Sequence, residues 1–338
     1  MRPLVIVVAA LCLLAAAAPA NGAPDTRVSI FYYPWYGTPE LDGGYQHWQQ
    51  RGAKPPYGLA SAFFPSRGLY SSANPAVLNA QMREIARAGI DQVATSWWGW
   101  GSVEDLRLPA IAAAARAYGL DLAVHLEPYA GRTPTSTLAD IRHLQELGAS
   151  DFFLYGPQDA PAAEWREAFA QLAGARVFAQ TSLVGFAAAG GFAGIYTYDI
   201  VVHSGDRFRR VCQQAHKLQL LCAPSVGPGY NARRAVGDQR VKPRRGGKTY
   251  DLMWKAALSA GADVVTITSY NEWHEGTQIE PARSWRGPNG RRYAGYDGAW
   301  GKRGRTAERA YLDRTRHWSR MFAIELVRRE RLRDGAGS

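Results

Sequence analysis

From residue 28 onward the chain alternates between short apolar, β-branched runs and longer stretches with an apolar position every three or four residues. The first pattern is that of a strand buried on both faces, the second that of a helix packed along one face. Strand-like runs fall at 28–33, 90–96, 120–126, 152–155, 176–180, 195–202, 218–224 and 262–269. Helical spacing covers 76–88, 103–118, 137–147, 162–172, 206–217 and 250–260 between them, and a last helix covers 306–329. The punctuation agrees. Asn74-Pro75 is an N-cap followed by a first-turn proline, and Gly89, Gly119, Gly148, Gly174 and Gly261 each stand beyond a helix. Eight strands in alternation with helices predict a single-domain (β/α)8 barrel, the TIM-barrel architecture. The sixth strand is the weakest element, because Gly-rich 187–194 leaves little helix before it. The first connection, 34–73, is long and rich in Gly, Pro and aromatics, as functional loops are. No internal repeat or interdomain linker breaks the pattern.

The start of the chain follows other rules. After Met1-Arg2-Pro3, residues 4–18 carry no charge, and Ala18-Pro19-Ala20 and Asn21-Gly22-Ala23 offer small-residue cleavage sites. Residues 1–23 therefore read as a secretory signal peptide and 24–338 as the catalytic domain, with a mature start between Pro19 and Asp25. An uncleaved membrane anchor is the alternative, though the run is short for a full span. Either way the catalytic part is exported, secreted or periplasmic. Cys12 leaves with the signal; Cys212 and Cys222 form a bridge in an oxidising compartment or stand as two buried thiols. No CxxC or Cys/His array suggests zinc.

The formal charge is +11, concentrated in 233–248 and 291–333. Such a balance suits nucleic acid or an acidic surface. The aromatics, however, gather at strand ends instead of among the basic residues, where a base-stacking platform needs them. A solvated basic face, with no nucleic-acid partner, is the better reading.

The carboxyl ends of barrel strands are where this fold places its chemistry. After the last strand comes Ser269-Tyr270-Asn271-Glu272-Trp273-His274-Glu275-Gly276-Thr277-Gln278-Ile279-Glu280, with two carboxylates three residues apart. Tyr32 to Gly37 and Asp42 to Trp48 follow the first strand, Trp97-Trp98-Gly99-Trp100 the second, and His125-Leu126-Glu127-Pro128-Tyr129 ends the third. Pro224 to Tyr230 follows the seventh. Carboxylate pairs among Trp and Tyr point to sugar: ring faces stack on pyranose C–H faces, and paired carboxyls supply the acid and base of glycosidic cleavage. Other chemistries fit less well. His274-Glu275 begins like HExxH, but Gln278 stands where the second histidine belongs. A divalent metal held near His125 and Glu127 is a weaker alternative. No G-x-S-x-G elbow, Walker loop or dinucleotide fingerprint follows a strand.

Taken together, Phe31 to Gly37, Asp42 to Trp48, His125 to Tyr129, Pro224 to Tyr230 and Ser269 to Glu280 resemble glycoside hydrolase family 99, the endo-α-1,2-mannosidases and endo-α-1,2-mannanases. The resemblance spans roughly Val28 to Pro281, and its last motif is the most specific. It implies a (β/α)8 barrel that cleaves inside an α-mannoside chain with retention, without metal or organic cofactor. It further implies that Glu272 deprotonates the substrate's own 2-hydroxyl, which attacks the anomeric carbon to give a 1,2-anhydro sugar. Glu275 matches the acid that protonates the leaving oxygen and later activates water. Tyr36, His47, Trp97, Glu127 and Tyr230 match positions that line the sugar sites. The basic segment 240–245 departs from the family pattern, so a substrate-binding arginine there is not carried over.

The reading is thus a secreted, monomeric enzyme whose partner is an oligosaccharide or polysaccharide α-mannoside. Two other classes compete. A catalytically silent glycan-binding barrel would keep the aromatics but has no need of both Glu272 and Glu275. A basic secreted polyanion binder would lose affinity steeply with salt.

Overall fold

The computed structural model describes residues 27–335; the expected signal peptide lies outside the described residues. Eight parallel strands close into a barrel: β1 (Val28–Tyr32), β2 (Gln92–Trp97), β3 (Asp121–Leu126), β4 (Asp151–Leu154), β5 (Arg176–Gln180), β6 (Gly194–Thr197), β7 (Leu221–Val226) and β8 (Val265–Ile267). Closure is made by β1, which pairs with β8 (Val28 opposite Val265) on one side and with β2 (Ser29 opposite Gln92) on the other. Helices α1 (Pro75–Arg87), α2 (Val103–Ala117), α3 (Pro134–Glu146), α4 (Ala162–Phe169), α5 (Val184–Ala189), α6 (Phe208–Lys217) and α7 (Lys248–Ser259) separate successive strands, and α8 (Ala310–Gly335) ends the description. The architecture is the (β/α)8 barrel that the hydrophobic pattern predicts.

Local chemistry explains the element starts. The Asn74 side chain accepts from the amides of Ala76 and Val77, capping α1 ahead of Pro75. Thr133 and Ser136 form a reciprocal capping box on α3. The weak region before β6 holds only the short α5, in keeping with its glycines.

The sixth, seventh and eighth strands differ most from the sequence expectation. The predicted eighth strand, 262–269, is reduced to three residues. Beyond Ile267 the backbone turns onto its own loop: the Ser269 amide donates to the Thr277 carbonyl and Ile279 to Ser269, both at 2.9 Å. The sixth stops at Thr197, because Asp199 captures the amides of Val201 and Val202 at 2.7 and 3.0 Å. The seventh starts three residues late, after Gln219 takes a left-handed turn at φ 58°.

Inward-facing side chains fill the barrel in layers. At the bottom Asp151 accepts from Arg176 (2.7 and 2.8 Å) and Gln92 (2.9 Å), and Gln92 accepts from Ser29. A carboxylate so deep is tolerable because it is paired. Above it lie Phe31, Phe153 and Phe178, with centroids 5.5 and 5.1 Å apart in succession. His125 Nε2 shares a 2.9 Å hydrogen bond with the Tyr196 hydroxyl at that level. Aromatic packing plugs the barrel, so a ligand reaches only its upper rim.

Candidate active site

The segment after β8 is bound to the rim strand by strand. The Asn271 amide grips the backbone of Tyr33 twice, accepting from its N–H (2.7 Å) and donating to its carbonyl (2.9 Å). The Tyr36 hydroxyl bridges the same loop, donating to the Asn271 carbonyl (3.0 Å) and accepting from the Trp273 amide (3.1 Å). Trp273 is wholly buried and donates through its indole to Glu280 at 2.9 Å. The large aromatic in this polar stretch therefore packs the loop from beneath.

That anchoring leaves Glu272 and Glu275 facing one cavity of about 490 Å³, walled by Trp35, His47, Gln50, Trp98, Glu104, Val236 and His274. Glu275 also lines a second, smaller cavity of about 120 Å³ with Tyr155, Tyr198, Asp199, Tyr230 and Arg240. It thus stands between two chambers. Glu272 accepts from the His274 amide at 2.9 Å, and its own amide donates to Ser269 Oγ at 2.8 Å. Glu275 accepts a long 3.4 Å bond from the Tyr198 hydroxyl.

Burial raises the proton affinity of both carboxyls. Glu275 is pushed up to about 7, by burial first and then by the negative charges of Asp199 and Glu127. Glu272 is held well above the usual carboxylate range by burial and by Glu275, while the amides of His274 and Glu275 favour its ionised form. The nearby charge of Glu275 adds to burial in disfavouring ionised Glu272. Burial pushes His274 down to about 3 and His47 to about 4, so both rings are neutral. His274 Nε2 lies 2.8 Å from the His47 carbonyl and donates to it, and the His47 ring stacks on Trp35 at 4.4 Å.

The other predicted sugar contacts divide. His47 lines the main cavity and Tyr230 the smaller one, its hydroxyl donating to Asp238 at 2.9 Å. Glu127 lies one layer down: it accepts from Ser96 at 3.0 Å, and Ser96 in turn accepts from the Trp98 indole at 3.0 Å. Tyr36 and Trp97, expected as sugar walls, line neither cavity. Both are 0 % exposed. Tyr36 is consumed in holding the loop, and the Trp97 indole points away from the cavity, donating to Asp105 on α2 at 2.8 Å. Neighbouring residues at a strand end face opposite ways, and it is Trp98, 37 % exposed, that lines the cleft.

Glu104, Asp199 and Trp35 escaped the sequence reading as site residues. Trp35 stood in a motif already noticed; Glu104 sits in an ordinary helix pattern and Asp199 in the predicted interior of a strand. Cys212 and Cys222, left open between two states, form a disulfide between α6 and β7. Within segment 240–245, Arg240 reaches the smaller cavity, paired with Asp238 at 2.7 Å and 3.7 Å from Asp199.

A parallel barrel with two buried carboxyls at its carboxyl rim and aromatic walls around them belongs to the glycoside-hydrolysing enzymes. Comparison specifies the family. Residues 24–159 and 174–324 match the model of Glycosyl hydrolase family 99, and the chain belongs to that family. A glycoprotein endo-alpha-1,2-mannosidase-like protein of Danio rerio is 32 % identical over 326 residues, covering 78 % of this chain and 73 % of the relative. The glycoprotein endo-alpha-1,2-mannosidase of Rattus norvegicus is 30 % identical, covering 88 % and 75 %. The solved GH99 endo-alpha-mannosidase of Bacteroides thetaiotaomicron superposes with a TM-score of 0.78 at 28 % identity, covering 88 % of this chain and 98 % of that one. The protein is therefore an endo-α-1,2-mannosidase-like glycoside hydrolase of family 99, and its substrate is a glycan.

Proposed function

We propose that the enzyme is a retaining, endo-acting α-mannosidase that hydrolyses internal α-1,2-mannosidic linkages of mannan or high-mannose glycans through a 1,2-anhydro sugar. The observation that carries this reading is the pair Glu272 and Glu275, delivered by one short loop to one cavity, with unlike surroundings. A conventional nucleophile and acid approach the sugar from opposite faces; two carboxyls of a single loop suit acid–base work on one substrate better. In the first step the Glu272 carboxylate takes the proton of the 2-hydroxyl as that oxygen attacks C1. The glycosidic C1–O bond breaks, and protonated Glu275 gives its proton to the leaving oxygen. In the second, the Glu275 carboxylate removes a proton from water as the water oxygen opens the anhydro ring at C1, and Glu272 returns its proton to O2. Two inversions give net retention. The amides of His274 and Glu275 favour ionised Glu272, while burial and neighbouring negative charge raise the proton affinity of both carboxyls. Trp35 and Trp98 supply apolar walls to the main cavity, against which a pyranose face can stack.

The test is product identification after incubation with α-1,2-linked mannan and with glucosylated high-mannose glycan. Released oligosaccharides with retained anomeric configuration support the reading; cleavage only at chain ends overturns it. Normal turnover of a 2-deoxy analogue, or a sugar trapped on Glu272, overturns the anhydro route. The same reading places the mature protein outside the cytoplasm, supported by the apolar run at 4–18 and by the Cys212–Cys222 disulfide.

A further inference from the structure

The loop bearing Glu272 and Glu275 contains Gly276 at φ 65° and no regular secondary structure, so its shape depends on what grips it. On one side the grip is a carboxylate. Glu280, wholly buried, accepts from Arg67 (2.8 Å), Gln81 (2.9 Å), Tyr70 (2.7 Å) and Trp273 (2.9 Å). On the other side it is a cation. Arg244 Nη2 donates to the carbonyls of Gly276 (2.9 Å) and Gln278 (2.6 Å), immediately beyond Glu275. Its guanidinium carbon lies 4.6, 4.8 and 4.7 Å from the ring centres of Phe63, Tyr296 and Tyr311. The Tyr296 hydroxyl completes the clamp by donating to the carbonyls of Gln278 (3.0 Å) and Glu280 (2.7 Å).

This is an aromatic cage whose occupant is a side chain of the protein itself. A guanidinium is planar and weakly hydrated, so it stacks on ring faces and still presents N–H groups in its plane. Two carbonyls held by a single nitrogen are fixed relative to each other, and Gly276, the one residue of that stretch with left-handed backbone, is fixed with them. Arg244 lines neither of the two cavities that Glu275 faces. A substrate contact is therefore not what places an arginine there.

We propose that Arg244 is a positioning residue for the reaction: caged by Phe63, Tyr296 and Tyr311, it holds the Gly276 and Gln278 carbonyls so that the Glu275 carboxyl keeps its place between the two chambers. The role in turnover rests on the assignment of Glu272 and Glu275 as the reacting pair; the grip on the loop does not. A carboxyl displaced by about 1 Å loses on the order of 10²-fold in rate. Lysine keeps the charge but offers a compact, hydrated ammonium without a planar face, so Arg244→Lys should occupy the cage and fail to set the loop.

The experiment compares wild type, Arg244→Lys and Tyr296→Phe by amide hydrogen exchange over 269–280 and by steady-state kinetics on an α-1,2-mannan oligosaccharide. Tyr296→Phe removes only the hydroxyl bonds and keeps the ring, so it decides the matter if Arg244→Lys does not fold. The expected result is faster exchange confined to 269–280 in both variants. With it should come a kcat reduced about 10- to 100-fold in Arg244→Lys and less in Tyr296→Phe, at nearly constant KM. Folded variants with wild-type exchange and wild-type kcat overturn the proposal. A defect carried by KM alone also overturns it, since that is the signature of a substrate-binding arginine. If wild type leaves the oligosaccharide uncut, the α-mannosidase reading fails, and exchange still decides whether the clamp exists.

Discussion

At the scale of single residues, the site separates groups that look alike in sequence. Glu272 and Glu275 are two glutamates three positions apart, yet one is met by backbone amides and the other by a distant tyrosine hydroxyl and the charges of Asp199 and Glu127. Each Glu→Gln change should lower activity about 10²–10⁴-fold or more. An activated aryl or fluoride α-mannoside, which needs little help from an acid, should partly rescue Glu275→Gln and not Glu272→Gln; equal rescue of both would remove the assigned roles. The pH dependence has a defined sign. Glu275 must be protonated to donate, and burial places its titration at about 7, so kcat/KM should fall as pH rises through about 7. That alkaline limb should vanish in Glu275→Gln on the activated substrate. Trp97 and Trp98 give a second contrast. Trp98→Ala should raise KM while leaving thermal unfolding nearly unchanged. Trp97→Ala, which empties a fully buried site, should cost about 3–5 kcal/mol in a denaturant titration. The reverse pattern would mean that the cleft is walled differently.

At the scale of elements, the barrel was legible in the sequence because the signals for strands and helices are local. Apolar runs, the Asn74 cap and the terminating glycines each act within a few residues, and they place every barrel strand and all the helices between them except the short α5 (Val184–Ala189). What the pattern could not show was where strands stop. The segment 200–202 is as apolar as the strand it continues, yet it leaves the ladder because Asp199 captures the amides of Val201 and Val202; past β8 the Ser269 amide turns to the Thr277 carbonyl instead. The disulfide belongs at this scale too, since it ties α6 to the strand that follows. Replacing both Cys212 and Cys222 by Ala should cost about 2–3 kcal/mol, read from the unfolding midpoint of the purified protein with and without reductant. Identical stability of the two forms would show that helix and strand hold without the bridge.

At the scale of the whole molecule, the burial that tunes the site also couples it to folding. A carboxyl whose folded pKa is raised binds its proton more tightly in the folded than in the unfolded chain. Its contribution to stability is full below the ordinary value of 4.5 and is lost as pH rises through about 7, in the case of Glu275. His47 acts oppositely in part of that window. Its folded pKa of about 4 lies below 6.5, so its contribution is present above 6.5 and lost as pH falls through about 4. Comparing Glu275→Gln with wild type isolates the carboxyl: the variant should gain stability relative to wild type between pH 4.5 and 7, by chemical denaturation at each pH. A constant difference would mean that Glu275 titrates normally. Export is tested separately, by N-terminal sequencing of protein recovered from outside the cytoplasm, with a start between Pro19 and Asp25 expected.

The sequence by itself determined the eight-fold alternation of strand and helix and the loop that carries Glu272 and Glu275. Both are written in contiguous residues, where periodicity, capping and motif spacing act over a few positions. Only the tertiary structure decided which side chains reach the cleft. Trp98 rather than Trp97 forms the wall because of which face of β2 meets the barrel rim. Asp199 stands beside Glu275 because β6 ends before it. The cage of Arg244 joins Phe63 to Tyr296 and Tyr311, at the other end of the chain, and they meet only once the barrel has closed and α8 has docked against it. Contacts of that kind depend on the orientation of packed elements, which no local pattern encodes.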